Sequence, residues 1–100
     1  MTLQHQILIQ TADVRVRVMN LHPGEATALH HHTEITDYMV GLEGKILVNL
    51  NGPDETVELN PGIRCTIQPG RIHQVLNSNG TKPASYLLVQ GVGQYDFKTE

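Results

Sequence analysis

The sequence predicts an all-β protein, an antiparallel β-barrel of six or more strands with negligible helix. Two observations carry that prediction. Short runs of alternating or apolar residues recur between turn-forming residues, and no long stretch of the 100 residues has helical periodicity. Strand follows strand without room for crossover helices, which selects an antiparallel barrel or sandwich over a parallel sheet.

The first clear strand spans residues 14–18, where Val14, Val16 and Val18 alternate with Arg15 and Arg17. Side chains alternate across a strand, so this reading turns the valines to the core and the arginines to solvent. His22-Pro23-Gly24 turns the chain, and an extended segment reaches His32 before a second turn at residues 33–36 and the apolar run at 38–42. Residues 45–50 and 56–59 flank Asn51-Gly52-Pro53-Asp54 and are expected to pair as a hairpin. Asn60-Pro61-Gly62 is the next turn, residues 77–83 form a polar loop, and residues 85–90 a late strand. The pattern from 91 to 100 fits either a last edge strand or a mobile arm. No internal repeat, linker or low-complexity segment interrupts it, so residues 1–100 read as a single domain.

An apolar fraction of 39% with one Phe, three Tyr and no Trp is lean for a self-sufficient core, which points to a homodimer formed through a sheet surface. The formal charge is −3 and the seven basic residues are scattered, so the expected partners are small molecules rather than nucleic acid or membrane lipid. The N-terminal segment lacks a cationic stretch followed by a long apolar core, and no apolar run is long enough to span a bilayer. A cytoplasmic protein is the expectation, and the single cysteine, Cys65, is in keeping with a reducing compartment. Cys65 itself reads as a small buried hydrophobe.

Chemistry concentrates in four residues. In Leu29-His30-His31-His32 the extended chain sends His30 and His32 to one face and His31 to the other. Asp37 opens the next apolar run after a four-residue turn and can return beside the histidines on an adjacent strand. His73 follows Gln68-Pro69-Gly70, a turn that presents a side chain at a strand end. Three imidazoles and one carboxylate suit a divalent transition metal, whether Fe, Mn, Ni, Zn or Cu.

The spacing of these residues resembles the two motifs of the cupin superfamily. Gly24, five residues, His30, one, His32, four, Asp37, six, Gly44 resembles the first motif. Gly62, five residues, Gln68-Pro69-Gly70, two, His73, three, Asn77 resembles the second, and seventeen residues separate the two. The resemblance implies a jelly-roll, or double-stranded β-helix, with His30, His32, Asp37 and His73 as the metal ligands. Two positions depart from the family pattern, which usually has glutamate at Asp37 and proline at Gln68. The shorter carboxylate either ligates directly, reaches the metal through water, or leaves a three-histidine site. Gln68 is expected to alter the pocket wall.

Other residues have plainer readings. His31 belongs at a rim or interface, and Glu34 in a solvated turn, where it is the substitute carboxylate if Asp37 falls short. Met39 shares the inward face of Asp37 and should line the cavity; Arg64 and Arg71 flank the second motif, where a clamp for an acidic substrate is the alternative to the solvated surface positions expected of them. The function implied by the resemblance is a small metal-dependent enzyme of dioxygenase, isomerase, decarboxylase or lyase type acting on a small oxygen-rich metabolite. The alternative is a non-catalytic ligand-binding or sensor protein. A storage role is disfavoured by the intact ligand set, and no residue stands out as a catalytic acid or base.

Overall fold

The computed structural model describes residues 4–100, so the first three residues of the segment read above for an export signal lie outside it. Its ten strands are β1 (Gln4–Gln10), β2 (Val14–Leu21), β3 (His30–His31), β4 (Thr36–Glu43), β5 (Ile46–Leu50), β6 (Glu55–Glu58), β7 (Arg64–Ile67), β8 (His73–Asn77), β9 (Ala84–Gly91) and β10 (Lys98–Thr99). They form two five-stranded sheets, ordered β1-β2-β9-β4-β7 and β10-β3-β8-β5-β6. Every named pairing is antiparallel, and no helix occurs among the described residues. This is the antiparallel all-β architecture that the turn spacing predicts, arranged as the jelly-roll that the motif resemblance implies. The hairpin is present as β5–β6, with Val48 opposite Val57, and the C-terminal tail resolves as an edge strand with Lys98 opposite His31. No helix of the described residues is long and apolar enough to cross a membrane.

Inner faces of the two sheets meet in one core, in which Leu21, Ile46, Val48, Leu59, Val75 and Tyr86 are all essentially inaccessible. Fully burying an aliphatic side chain of this size contributes about 1.5–3 kcal/mol, so this seam dominates the stability. Strand β2 faces the opposite way from the expectation for residues 14–18. Val14, Val16 and Val18 lie on the outer face, half-buried, while Arg17, Met19 and Leu21 point inward and are buried. The strand runs on to Leu21, and its odd positions carry Met19 and Leu21 into the core opposite Tyr86 and Ala84. Side-chain parity is common to the whole strand, so two large apolar side chains at its end carry the arginines in with them.

The valines displaced to the outer face join a row that crosses four strands, Ile9–Val16–Val89–Tyr38, of which Ile9 is 56% and Tyr38 48% exposed. Gln68 is a second correction. It is exposed in its turn and does not border the cavity, because Ile67 is the inward residue at that end of β7.

Turns place the site. Asn77, fully buried, donates from Nδ2 to the carbonyls of Leu21 (3.2 Å), His22 (3.2 Å) and Lys82 (2.9 Å), tying the end of β8 to the start of the histidine segment. Gly44 has φ +83°, and a Cβ there would lie 2.8 Å from Ala84 Cβ and Pro83 O. Gly24 has φ +74° with open space around it. Gly24→Ala is therefore expected to cost only the left-handed strain of about 1 kcal/mol, and Gly44→Ala that strain plus a further ~1–3 kcal/mol of overpacking, read from urea unfolding midpoints.

Candidate metal centre

His30 and His73 stand opposite each other on paired strands of one sheet, and Asp37 sits on the inner face of the other. His32 lies just past β3, in the crossing between the sheets. The fold thereby brings together all four residues singled out by the sequence, and one potential ligand atom from each lies within 4.8 Å of the others. All four are buried, Asp37 and His73 to 1% exposure.

Hydrogen bonds fix the imidazoles. His30 Nδ1 donates to Ala28 O (2.6 Å), His32 Nδ1 to Asp96 O (2.6 Å) and His73 Nδ1 to Arg71 O (2.8 Å). A carbonyl oxygen only accepts, so each Nδ1 carries the proton, and each Nε2 of a neutral ring presents a lone pair. These lone pairs face an anion. His73 Nε2 is 3.1 Å and His32 Nε2 3.2 Å from Asp37 Oδ2, and His32 Nε2 makes no hydrogen bond although it is buried.

Lone pairs turned on a carboxylate in a buried space call for a cation, either a proton or a metal ion. His30 resists the proton, because burial, reinforced by the neighbouring His73 and His32, pushes its pKa down to about 4. Burial acts the same way on His32, but the Asp37 carboxylate outweighs it and raises that pKa. Burial would raise the pKa of Asp37, yet His32, His73 and Gln90 together hold it well below the usual carboxylate range. A carboxylate beside converging imidazole nitrogens, one of them the unpartnered Nε2 of His32, is the donor chemistry that suits a divalent transition metal.

Several contributors escaped the sequence reading. Gln90 Nε2 donates to Asp37 Oδ1 (3.0 Å), while its Oε1 accepts from Arg17 Nη2 (2.8 Å) and Arg15 Nη2 (3.3 Å). The C-terminal segment closes the other side: the Phe97 ring stacks on His30 at 4.2 Å, and the Arg15 guanidinium lies 3.7 Å from the Tyr95 ring centre. A cavity of about 310 Å³ opens beside the cluster, lined by His30, His32 and Asp37 and walled by Met19, Met39, Val75 and Leu88. Met39 thus lines it as its parity requires. The clue to Arg17 lay in residues 19–21, where Leu21 marks the arginine face as inward and Asn20 marks the valine face as outward. Tyr95 and Phe97 gave none, because their approach depends on how the tail folds back.

The remaining residues take their plainer roles. His31 is half-buried, lies outside the cluster, and its Nδ1 donates to Glu100 Oε1. Glu34 is exposed and outside the cluster. Arg71 bonds the Asn51 and Pro53 carbonyls and Glu55 at the surface, Arg64 is exposed, and Cys65 is buried and free.

The chain belongs to the cupin domain family, whose model matches residues 17–90. No curated protein matches it. Among solved structures it is similar to an uncharacterised conserved protein with a double-stranded β-helix domain from Klebsiella pneumoniae, at 26% identity and TM-score 0.81 over 97% of this chain and 78% of that one. A cupin 2 domain-containing protein from Halorhodospira halophila is similar at 21% identity and TM-score 0.83, over 98% of this chain and 70% of that one. A recombinant oxalate oxidase in complex with glycolate shares the fold at 16% identity and TM-score 0.82, over 97% of this chain and 54% of that one.

The histidine environment has a thermodynamic signature in metal-free protein. His30 has a folded pKa of about 4 against an ordinary 6.5, so below 6.5 the unfolded chain takes up a proton that the folded one refuses. Acid therefore favours unfolding across that window. The stability of wild type minus that of His30→Gln, measured by urea unfolding in chelator, should fall as pH drops from 6.5 towards 4; a flat difference would refute this environment for His30.

Proposed function

We propose that this protein binds one divalent transition metal through His30, His32, Asp37 and His73, and uses it as an enzyme acting on a small oxygen-rich metabolite. The observation that carries the reading is the set of three Nδ1-to-carbonyl hydrogen bonds, which leave three Nε2 lone pairs converging on a buried carboxylate. A bound metal would supply Lewis acidity and positions open to a chelating substrate. The chain's own groups do the rest. Asp37 supplies permanent negative charge, Gln90 orients it, and the apolar cavity walls limit the water that reaches it. A cavity of about 310 Å³ sits at the small end of ligand sites, which favours a metabolite over a polymer.

Asp37 is proposed as a direct ligand. Its Oδ2 stands as close to the imidazole nitrogens as ligand atoms of one ion do, and Gln90 takes the other oxygen. Elemental analysis tests the set. His30→Ala, His32→Ala, His73→Ala and Asp37→Ala should each lose most bound metal, a drop of about tenfold or more in affinity, while His31→Ala keeps it. Full occupancy in the His73 variant, or loss in the His31 variant, would show that the site is misassigned. Oxygen consumption and product formation with small carboxylic acids and diketones then separate an enzyme from a ligand-binding protein.

The reading extends to assembly as a homodimer. The outer-face row of Ile9, Val16, Val89 and Tyr38, exposed at Ile9 and Tyr38 and half-buried between them, gives a second copy an apolar sheet face to cover. Sedimentation at micromolar concentration should show twice the 11.1 kDa chain mass, and Tyr38→Asp should shift it to the monomer; a wild type of 11.1 kDa would refute pairing.

A further inference from the structure

Arg17 presents a buried guanidinium to the cavity without an acidic partner. It is 8% exposed, lines the cavity with His30, His32 and Asp37, and forms no ion pair with any carboxylate among the described residues. Its neighbours are neutral or cationic. Nη2 donates to Gln90 Oε1 (2.8 Å), Nη1 meets His5 Nδ1 (2.8 Å), and Nε is buried with no hydrogen-bond partner. Arg15 reaches the same Gln90 oxygen (3.3 Å), so two guanidinium groups share one uncharged acceptor. Asp37 is within reach of Arg17 only through the Gln90 amide, and its own oxygens are taken up by Gln90 and the histidines.

A buried cation is tolerated when an anion balances it, and a guanidinium is the group that meets a planar carboxylate with two parallel donors. The guanidinium lies one glutamine side chain away from the metal-binding carboxylate. An acid held there would have its carboxylate on Arg17 and its remaining oxygen donor towards the histidine cluster. Met19, Met39, Val75 and Leu88 would enclose its carbon skeleton. Those apolar walls and the limited volume favour a small carboxylic acid over a phosphate ester.

We infer that Arg17 is the substrate-recognition residue of this cavity, and that its ligand is a small carboxylate bearing a second oxygen donor. This rests on the proposed metal site for the donor but not for the carboxylate. The test is calorimetric titration of the metal-loaded protein with 2-hydroxyisobutyrate, its uncharged amide and inorganic phosphate. The acid should bind about tenfold or more tightly than the amide, as a charge-assisted bidentate contact provides. Arg17→Gln should abolish that preference by weakening the acid alone, leaving metal content unchanged, and Arg17→Lys should retain part of it.

Equal binding of acid and amide, no detectable acid binding to wild type, tighter binding of phosphate, or undiminished acid affinity in Arg17→Gln would each overturn the inference. Should Arg17→Gln fail to fold by circular dichroism, the wild-type ratio and the Arg17→Lys variant decide it. A wild type that takes up no metal would sink the metal site instead, and the acid-over-amide preference of that metal-free protein would still judge Arg17.

Discussion

The negative charge of Asp37, buried between two sheets, is the constraint to which the rest of the structure answers. A carboxylate at 1% exposure is tolerated only if its oxygens are satisfied and its charge is balanced. Gln90 satisfies Oδ1. Oδ2 faces histidine nitrogens whose rings have already committed their Nδ1 protons to carbonyls, so the balancing charge has to come from a cation, proton or metal ion, held among them. Asp37 and Gln90 belong to one sheet, His30 and His73 to the other, so whatever cation sits among them also links the sheets. Metal affinity and fold stability are coupled in such an arrangement.

Strand register explains how the polar set is assembled. Arg15, Gln90 and Asp37 are direct cross-strand neighbours on β2, β9 and β4, one row across the inner face. Arg17 and Leu88 occupy the adjacent row with Met39. A one-residue slip of β9 would send Gln90 to the outside and bring Val89 inward, stripping Asp37 of its Gln90 hydrogen bond and both arginines of the acceptor they share. The apolar outer row and the polar inner row are therefore two consequences of one register.

Much of this was legible in the sequence, because turn chemistry and strand parity are local. Pro and Gly at residues 23–24, 52–53, 61–62 and 69–70 mark strand boundaries, and parity alone separates His30 and His32 from His31. Parity also misled. In residues 14–18 valine and arginine faces are equally regular, and only the continuation through Met19 and Leu21 decides which is inward. The role of Gln90 was hidden because an uncharged polar residue at a strand end looks the same whether solvated or bridging. The covering by Tyr95 and Phe97 is tertiary, set by the pairing of Lys98 and Thr99 with the histidine strand. Asp37 in place of the commoner glutamate left its reach open in sequence, and the position of Gln90 behind it makes the shorter side chain intelligible.

The most direct test of the metal account is nitrogen-15 NMR of the histidine rings during a zinc titration, zinc being diamagnetic. The Nε2 resonances of His30, His32 and His73 should move together at one equivalent of zinc while their Nδ1 atoms stay protonated, with His5, His22 and His31 unaffected. Zinc-induced shifts confined to His5, His22 or His31, or deprotonation at Nδ1 of the three buried rings, would contradict it.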